Sequence, residues 1–257
     1  MPARSSPTAT GIAVNARLLA LASVLFLSTA MAAQPSVLVL NETNAPPYSN
    51  AARTGFFDVV AIEAFRRAGF KLHIATVPAG RSLILSSEGV ADGELNRTMV
   101  VGELYPGLVR VPEKLGDMEF SAFSKDASIP GNFEAFRGRT IGLIRGWRFY
   151  EKALAGQEGV HAVNDAEQLF RILDLGRIEI ALWERRMGRA HLRAHAMNDV
   201  RELDPPLFIH EEFVYLHKRH AARVPAIAAA LRAMKEDGSY QRAYRERLFP
   251  DERGSAR

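Results

Sequence analysis

Residues 83–97, LILSSEGVADGELNR, and residues 169–185, LFRILDLGRIEIALWER, repeat one arrangement in two separate parts of the chain. Each is an apolar run at helical spacing, a glycine stop (Gly89, Gly176), a short strand, and then charge at the strand's carboxyl end. In α/β sheets, ligands bind outside the carboxyl ends of the strands. Two such units therefore predict two lobes that present polar groups to a shared cleft. Helix, glycine and strand in succession also build any ordinary α/β domain, so the pattern sets the fold class as α/β and leaves function open.

Arg4 and Arg17 are the only charged residues ahead of the apolar run Leu18–Phe26 and the small-residue stretch Leu27–Ala33. A basic leader, a short apolar core and an A-x-A site at Ala30 and Ala32 predict a secretory signal peptide, residues 1–32. A spanning helix needs about 20 apolar residues. This core is shorter, so cleavage is favoured over anchoring, and export to the periplasm follows. The sequence contains no cysteine, which excludes disulfides, thiolate catalysis and cysteine-ligated metals. An exported chain of this kind relies on its core, and the length allows two small lobes. Without the leader, 31 basic residues face 29 acidic ones. That near balance argues against a nucleic-acid partner.

The expected element order begins with an apolar strand, Ser36–Leu40, and the proline-stiffened loop 41–50. A helix over Phe57–Ala68 follows, with Val60, Ala61, Ala64 and Phe65 on one side and Glu63, Arg66 and Arg67 on the other. Next come a strand at Leu72–Val77, a helix at Arg81–Ser87 and a strand at Asp92–Asn96. The chain is expected to cross over near Phe120–Asp126. A second series comprises Thr140–Ile144, a helix from Trp147, a strand near His161–Val163, a helix at Ala166–Leu175 and a strand at Ile178–Leu182. Leu207–His217 suits a return crossing, and helices at Pro225–Glu236 and Tyr240–Leu248 close the chain.

Several fragments occur in a telling order: Ala45-Pro-Pro-Tyr48, Gly55-Phe-Phe-Asp58, Glu88-Gly-Val-Ala-Asp92, Gly138-Arg-Thr-Ile-Gly142 with Arg145-Gly146, and Leu175-Gly-Arg-Ile-Glu179. The ending Leu231-Arg-Ala-Met-Lys-Glu-Asp-Gly-Ser-Tyr240 is the most specific. Together, behind a signal peptide, they resemble the periplasmic solute-binding proteins of bacterial ABC uptake systems, in the amino-acid-binding-like group (extracellular solute-binding protein family 3). The resemblance covers nearly all of the chain after the leader. It implies a two-lobed type 2 periplasmic-binding-protein fold with two hinge crossings. Lobe 1 would comprise residues 33–124 and 214–257, and lobe 2 residues 125–213. It also implies a monomer that captures a small solute without a cofactor and delivers it to an ABC permease in the inner membrane.

The expected ligand-binding residues are Asn44 and Tyr48 on the proline loop, Arg81, Glu94 and Arg97 in the first lobe, and Arg145, Trp147 and Glu184 in the second. A cation at a helix start opposes the helix dipole, so Arg81 needs another reason to stand there. An anionic ligand group is one, and an ion pair with a neighbouring glutamate is another. Strand alternation puts Asp92, Glu94 and Asn96 on one face, which lines either a cleft or an exposed edge. In the resembled family this strand end is a ligand segment. The family's Thr-x-x-Arg carboxylate clamp, however, is replaced here by Val101-Gly-Glu-Leu104, which counts against an ordinary amino acid. Gly146 permits close backbone approach, and Trp147 either stacks on a ligand or packs between lobes. By the resemblance, Glu184 aligns with an acid that holds a ligand ammonium, unless Arg185 and Arg186 neutralise it.

Other chemistry is less well supported. His191 and His195 have the i, i+4 spacing of a metal pair but lack the H-E-x-x-H acid, and a solvated helix face is the better reading. Glu211 and Glu212 are adjacent, so a strand would point them to opposite faces. No phosphate loop or dinucleotide fingerprint is present. The expectation is a binder of an anionic or zwitterionic solute. The alternatives are a cyclohexadienyl dehydratase-like enzyme using Glu94, or a periplasmic sensor. Glu94, with Arg97 three residues on, suits holding a ligand group better than donating a proton.

Overall fold

The computed structural model describes residues 36–249. The expected signal peptide, residues 1–32, lies outside the described residues. Among those described, no helix is long and apolar enough to cross a membrane.

Strand β1 (Val37–Glu42), helix α1 (Phe56–Arg67) and β2 (Lys71–Thr76) form the first βαβ unit, with β2 parallel to β1 and Val37 opposite Lys71. Helix α1 buries Phe56, Phe57, Val60, Ala61, Ala64 and Phe65. On its other face Glu63 pairs with Arg66 and Arg67, each at 2.7 Å. Asp58 in its first turn accepts from the N-cap amide of Gly55 at 3.1 Å, a donor that a helix start leaves free, and from the loop amide of Asn50 at 2.9 Å. Helix α2 (Ala79–Ser87) returns the chain to β3 (Gly93–Arg97), which runs parallel to β1. A short helix α3 (Val101–Leu104) and strand β4 (Leu108–Arg110) lead into β5 (Gly116–Ser124).

The second series comprises β6 (Ile141–Ile144), α4 (Arg148–Ala153), β7 (Val160–Val163), α5 (Ala166–Asp174), β8 (Ile180–Glu184) and α6 (Arg185–Ala194). Strand β9 (Arg201–His217) follows, then a 3₁₀ turn (Lys218–Arg223), α7 (Val224–Glu236) and α8 (Ser239–Leu248). The strand order is β2-β1-β3-β9-β5-β8-β6-β7, with β4 also on β9. Strand β9 connects the two halves. Up to Glu212 it pairs antiparallel with β5, and from Phe213 it pairs with β3 and β4. The result is a curled α/β sheet in two halves, with β5 and β9 as the strands that cross between them.

Two strands differ instructively from the sequence expectation. Strand β9 begins at Arg201, not Leu207, because Leu203, Glu202 and Arg201 pair with Ala122, Phe123 and Ser124. Pro205 and Pro206 hide this from the sequence, since proline cannot donate to a ladder. They fall where the β5–β9 register shifts, between Phe120 and Ala122. Strand β8 runs on to Glu184, beyond the expected end at Leu182, because Glu184 pairs opposite Phe120.

One large apolar cluster runs through both halves: Phe57, Phe65, Ile227 and Leu231 pack against the sheet in the first, and Ile141, Leu143 and Tyr150 continue it into the second. A second, under α5 and α6, joins Phe123, Leu169, Phe170 and Trp183. Arg186 ties α6 to the carboxyl-terminal helix. Its guanidinium lies 5.4 Å from the Tyr244 ring centre and 5.0 Å from that of Phe249, and it also pairs with Glu119 at 3.2 Å.

Candidate functional site: the cleft between the two halves

The loop after β1 is organised by one buried carboxylate. Glu42, with no exposed surface, accepts from the Ser49 hydroxyl, the Arg53 guanidinium and the Thr76 hydroxyl, each at 2.7 Å, and from the Asn44 amide. Burial pushes its pKa up, but the combined hydrogen bonds outweigh that and hold it below the ordinary value. Asn44 and Arg53 both take positive φ, 58° and 57°. The loop thus turns Thr43 and Ala45 into the cleft, while Asn44 itself is exposed.

Tyr48 and Glu184 meet across the halves: the phenol donates to Glu184 Oε1 at 2.7 Å. Both residues have no exposed surface. Glu184 Oε2 accepts from the Met187 amide at 2.8 Å, capping α6. Burial pushes both the Tyr48 phenol and the Glu184 carboxyl up, and the bonds to Glu184 only partly restrain it. The two neighbouring arginines turn elsewhere: Arg185 pairs with Glu119 at 2.8 Å and with Glu202, and Arg186 with Glu119. Tyr48→Phe leaves Glu184 Oε1 buried without its phenol donor, and unfolding in urea should show a loss of about 1–3 kcal/mol. Stability equal to the parent would mean that this bond holds nothing together.

The cleft has a volume of about 470 Å³. Its wall is aromatic: Phe120 stands 5.1 Å from Trp147, 4.7 Å from Phe149 and 4.9 Å from His210, centre to centre. Asn96 and Arg97 from β3, Arg148 from α4, and His210 and Glu212 from β9 supply polar groups. Arg97 Nη2 lies 2.6 Å from Glu94 Oε2. Glu94 is fully buried and also accepts from Ser82 at 2.7 Å and Ser86 at 2.6 Å. It faces α2 and fixes the arginine that lines the cleft. Arg97 Nε is buried without a partner.

Glu212 is only 5% exposed. Burial raises its pKa to about 8, with the Arg97 charge and a hydrogen bond from Asn96 pulling the other way. Burial likewise lowers the pKa of His210, which favours the neutral imidazole. Neither was among the residues expected to bind ligand, and Glu212 was considered only as the neighbour of Glu211. The signal was the i, i+2 spacing of His210 and Glu212 on a crossing strand, which puts them on one face. The opposite-face expectation for Glu211 is met, since Glu211 is exposed and pairs with Lys114 at 3.2 Å.

Of the eight residues expected to bind ligand, Arg97 and Trp147 line the cleft. Glu94 supports Arg97 from behind, and Tyr48 and Glu184 are buried against each other. Arg81 is exposed on the first turn of α2, and its neighbour Ser82 is the buried one, bonded to Glu94. Arg145 is exposed, reaching the Ala162 carbonyl at 3.3 Å, and the Gly146 amide donates to Glu151 at 2.9 Å. Where the family's clamp would stand, α3 packs by Tyr215, whose hydroxyl donates to the Thr98 and Met99 carbonyls, each at 3.0 Å.

No protein-family model matches the chain, and no curated protein matches it. Solved structures do. A histidine kinase sensor domain with similarity to periplasmic binding proteins superposes with a TM-score of 0.67 at 13% identity, over 83% of this chain and 96% of that one. An ancestral arginine-binding protein bound to arginine gives 0.66 at 19% identity, over 84% and 99%. An amino acid ABC transporter substrate-binding protein from Streptococcus pneumoniae, bound to L-arginine, gives 0.63 at 13% identity, over 84% and 94%. This chain therefore has the two-lobed fold of the amino-acid-type solute-binding proteins. At these identities the likeness is one of fold.

Proposed function

We propose that the protein is a periplasmic solute-binding protein that captures a small polar solute in this cleft and passes it to an ABC-type permease. Among the described residues, the first lobe comprises 36–124 with 214–249 and the second 125–213, joined by β5 and β9. The observation that carries the reading is Arg97, held at the cleft by the buried Glu94 with a buried guanidinium nitrogen left unpaired. Arg97 and Arg148 favour an anionic or zwitterionic group, and the Trp147, Phe149 and Phe120 wall suits its apolar part. With Glu184 engaged by Tyr48 and α3 in the clamp position, the solute is bound differently from an α-amino acid in the resembled family. Closure follows only if the solute touches both lobes, since equal affinity for open and closed states shifts neither.

Mass spectrometry of the solute that co-purifies, followed by fluorescence titration of Trp147 and Trp183, tests this. Arg97→Ala should weaken binding of that solute by about 2–5 kcal/mol, the scale of a buried charge pair. An affinity within twofold of the parent would take Arg97 out of the site. A second reading rests on Glu212. A cleft carboxyl with a pKa near 8 is poised to donate a proton at neutral pH, as a dehydratase-like enzyme requires. Recovery of the bound solute chemically unchanged after long incubation favours the binder. Conversion that stops in Glu212→Gln favours the enzyme.

A further inference from the structure

We propose that Glu167, His191 and His195 form a binding site for a divalent transition-metal ion, separate from the cleft. Glu167 lies in the first turn of α5, His191 in the last turn of α6, and His195 at its carboxyl cap. One ligand atom from each falls within 4.8 Å of the others. In sequence the histidines are only an i, i+4 pair. The fold supplies the missing acid from a neighbouring helix.

The donors suit a metal in two further respects. His195 Nδ1 lies 3.0 Å from the His191 carbonyl oxygen. Donation to that oxygen places the proton on Nδ1 and leaves the Nε2 lone pair free, the outer contact a metal-binding imidazole ordinarily makes. That Nε2 stands 3.3 Å from Glu167 Oε2, the spacing of two neighbouring donors on one tetrahedral ion. The His191 ring is held between Phe170 at 4.6 Å and His195 at 4.0 Å, so His195 turns out of this stack for both imidazoles to aim a lone pair at one ion.

Tetrahedral coordination at about 2.0–2.2 Å brings neighbouring donors to about 3.3–3.5 Å apart. Side-chain rotation suffices to reach this, because the Glu167 and His195 side chains are 70% and 44% exposed. Two imidazoles and one carboxylate select zinc, nickel or copper over magnesium and calcium. Such an ion would also clamp α5 to α6.

The full chain, stripped with a chelator, is titrated calorimetrically with zinc chloride and, in parallel, with magnesium chloride. One zinc ion per chain should bind saturably and raise the melting temperature, with no response to magnesium. His191→Ala and the more conservative His195→Gln should each weaken zinc binding at least tenfold, and Glu167→Gln less. His220→Ala, at the Asp92 pair, should leave binding unchanged. Absence of saturable zinc binding, or binding that survives loss of both His191 and His195, overturns the proposal.

Discussion

Gly93→Ala should prevent folding or cost more than about 3 kcal/mol, the upper part of the range for overpacking a rigid site. Gly93 sits on β3 opposite Leu216 of β9. A Cβ there would meet the Tyr215 carbonyl oxygen at 2.0 Å and the Leu216 Cα at 2.9 Å. Both are backbone atoms of the paired strand, so relief means separating β3 from β9. That displaces Glu94 and, with it, Arg97 at the cleft. Gly80→Ala on α2 is the control: a Cβ there meets nothing within 4 Å, and alanine favours a helix by up to about 1 kcal/mol. Urea unfolding of the two variants separates them. A Gly93→Ala protein with the parent's midpoint would mean that the halves are not held by this close strand contact.

Glu212 should make the protein lose stability as pH rises from about 4.5 to about 8. Its carboxyl titrates near 8 when folded, against an ordinary value of 4.5. Over that interval the folded state binds the extra proton, so the contribution is complete below pH 4.5 and declines toward pH 8. At about 1.36 kcal/mol per pKa unit the full effect is at most about 5 kcal/mol. Glu212→Gln keeps the shape and removes the titration. Its stability should exceed the parent's by about 2–4 kcal/mol near pH 8.5, while the two converge near pH 5. Denaturant midpoints for both proteins across this range are the measurement. Parallel profiles would show that Glu212 is ionised throughout. In either outcome the difference isolates one residue, because every other titrating group is common to both proteins.

The same residue shows where sequence reading stops. Glu212 and Glu211 are indistinguishable as a pair of letters, and alternation along a strand separates their faces but not which face is buried. Only the change of partners on β9, from β5 to β3 and β4, puts Glu212 in the cleft and Glu211 beside Lys114. Arg81 and Arg97 pose the same problem. Both are arginines near strand or helix ends, and only the latter is anchored by a buried carboxylate.

By itself the sequence determined the α/β class, most helix and strand positions, the two crossings and the glycine stops. Each of these follows from local spacing: apolar residues every three or four along a helix, alternation along a strand, and glycine where φ must turn positive. The tertiary structure alone decided which polar groups face the cleft. Tyr48 is spent on Glu184, Glu94 on Arg97 and two serines, and Glu167 comes to lie beside His191 and His195. These are contacts between residues distant in sequence or neighbours turned by the curl of the sheet. Burial and partner choice depend on the whole packed surface around a side chain, which no local spacing records.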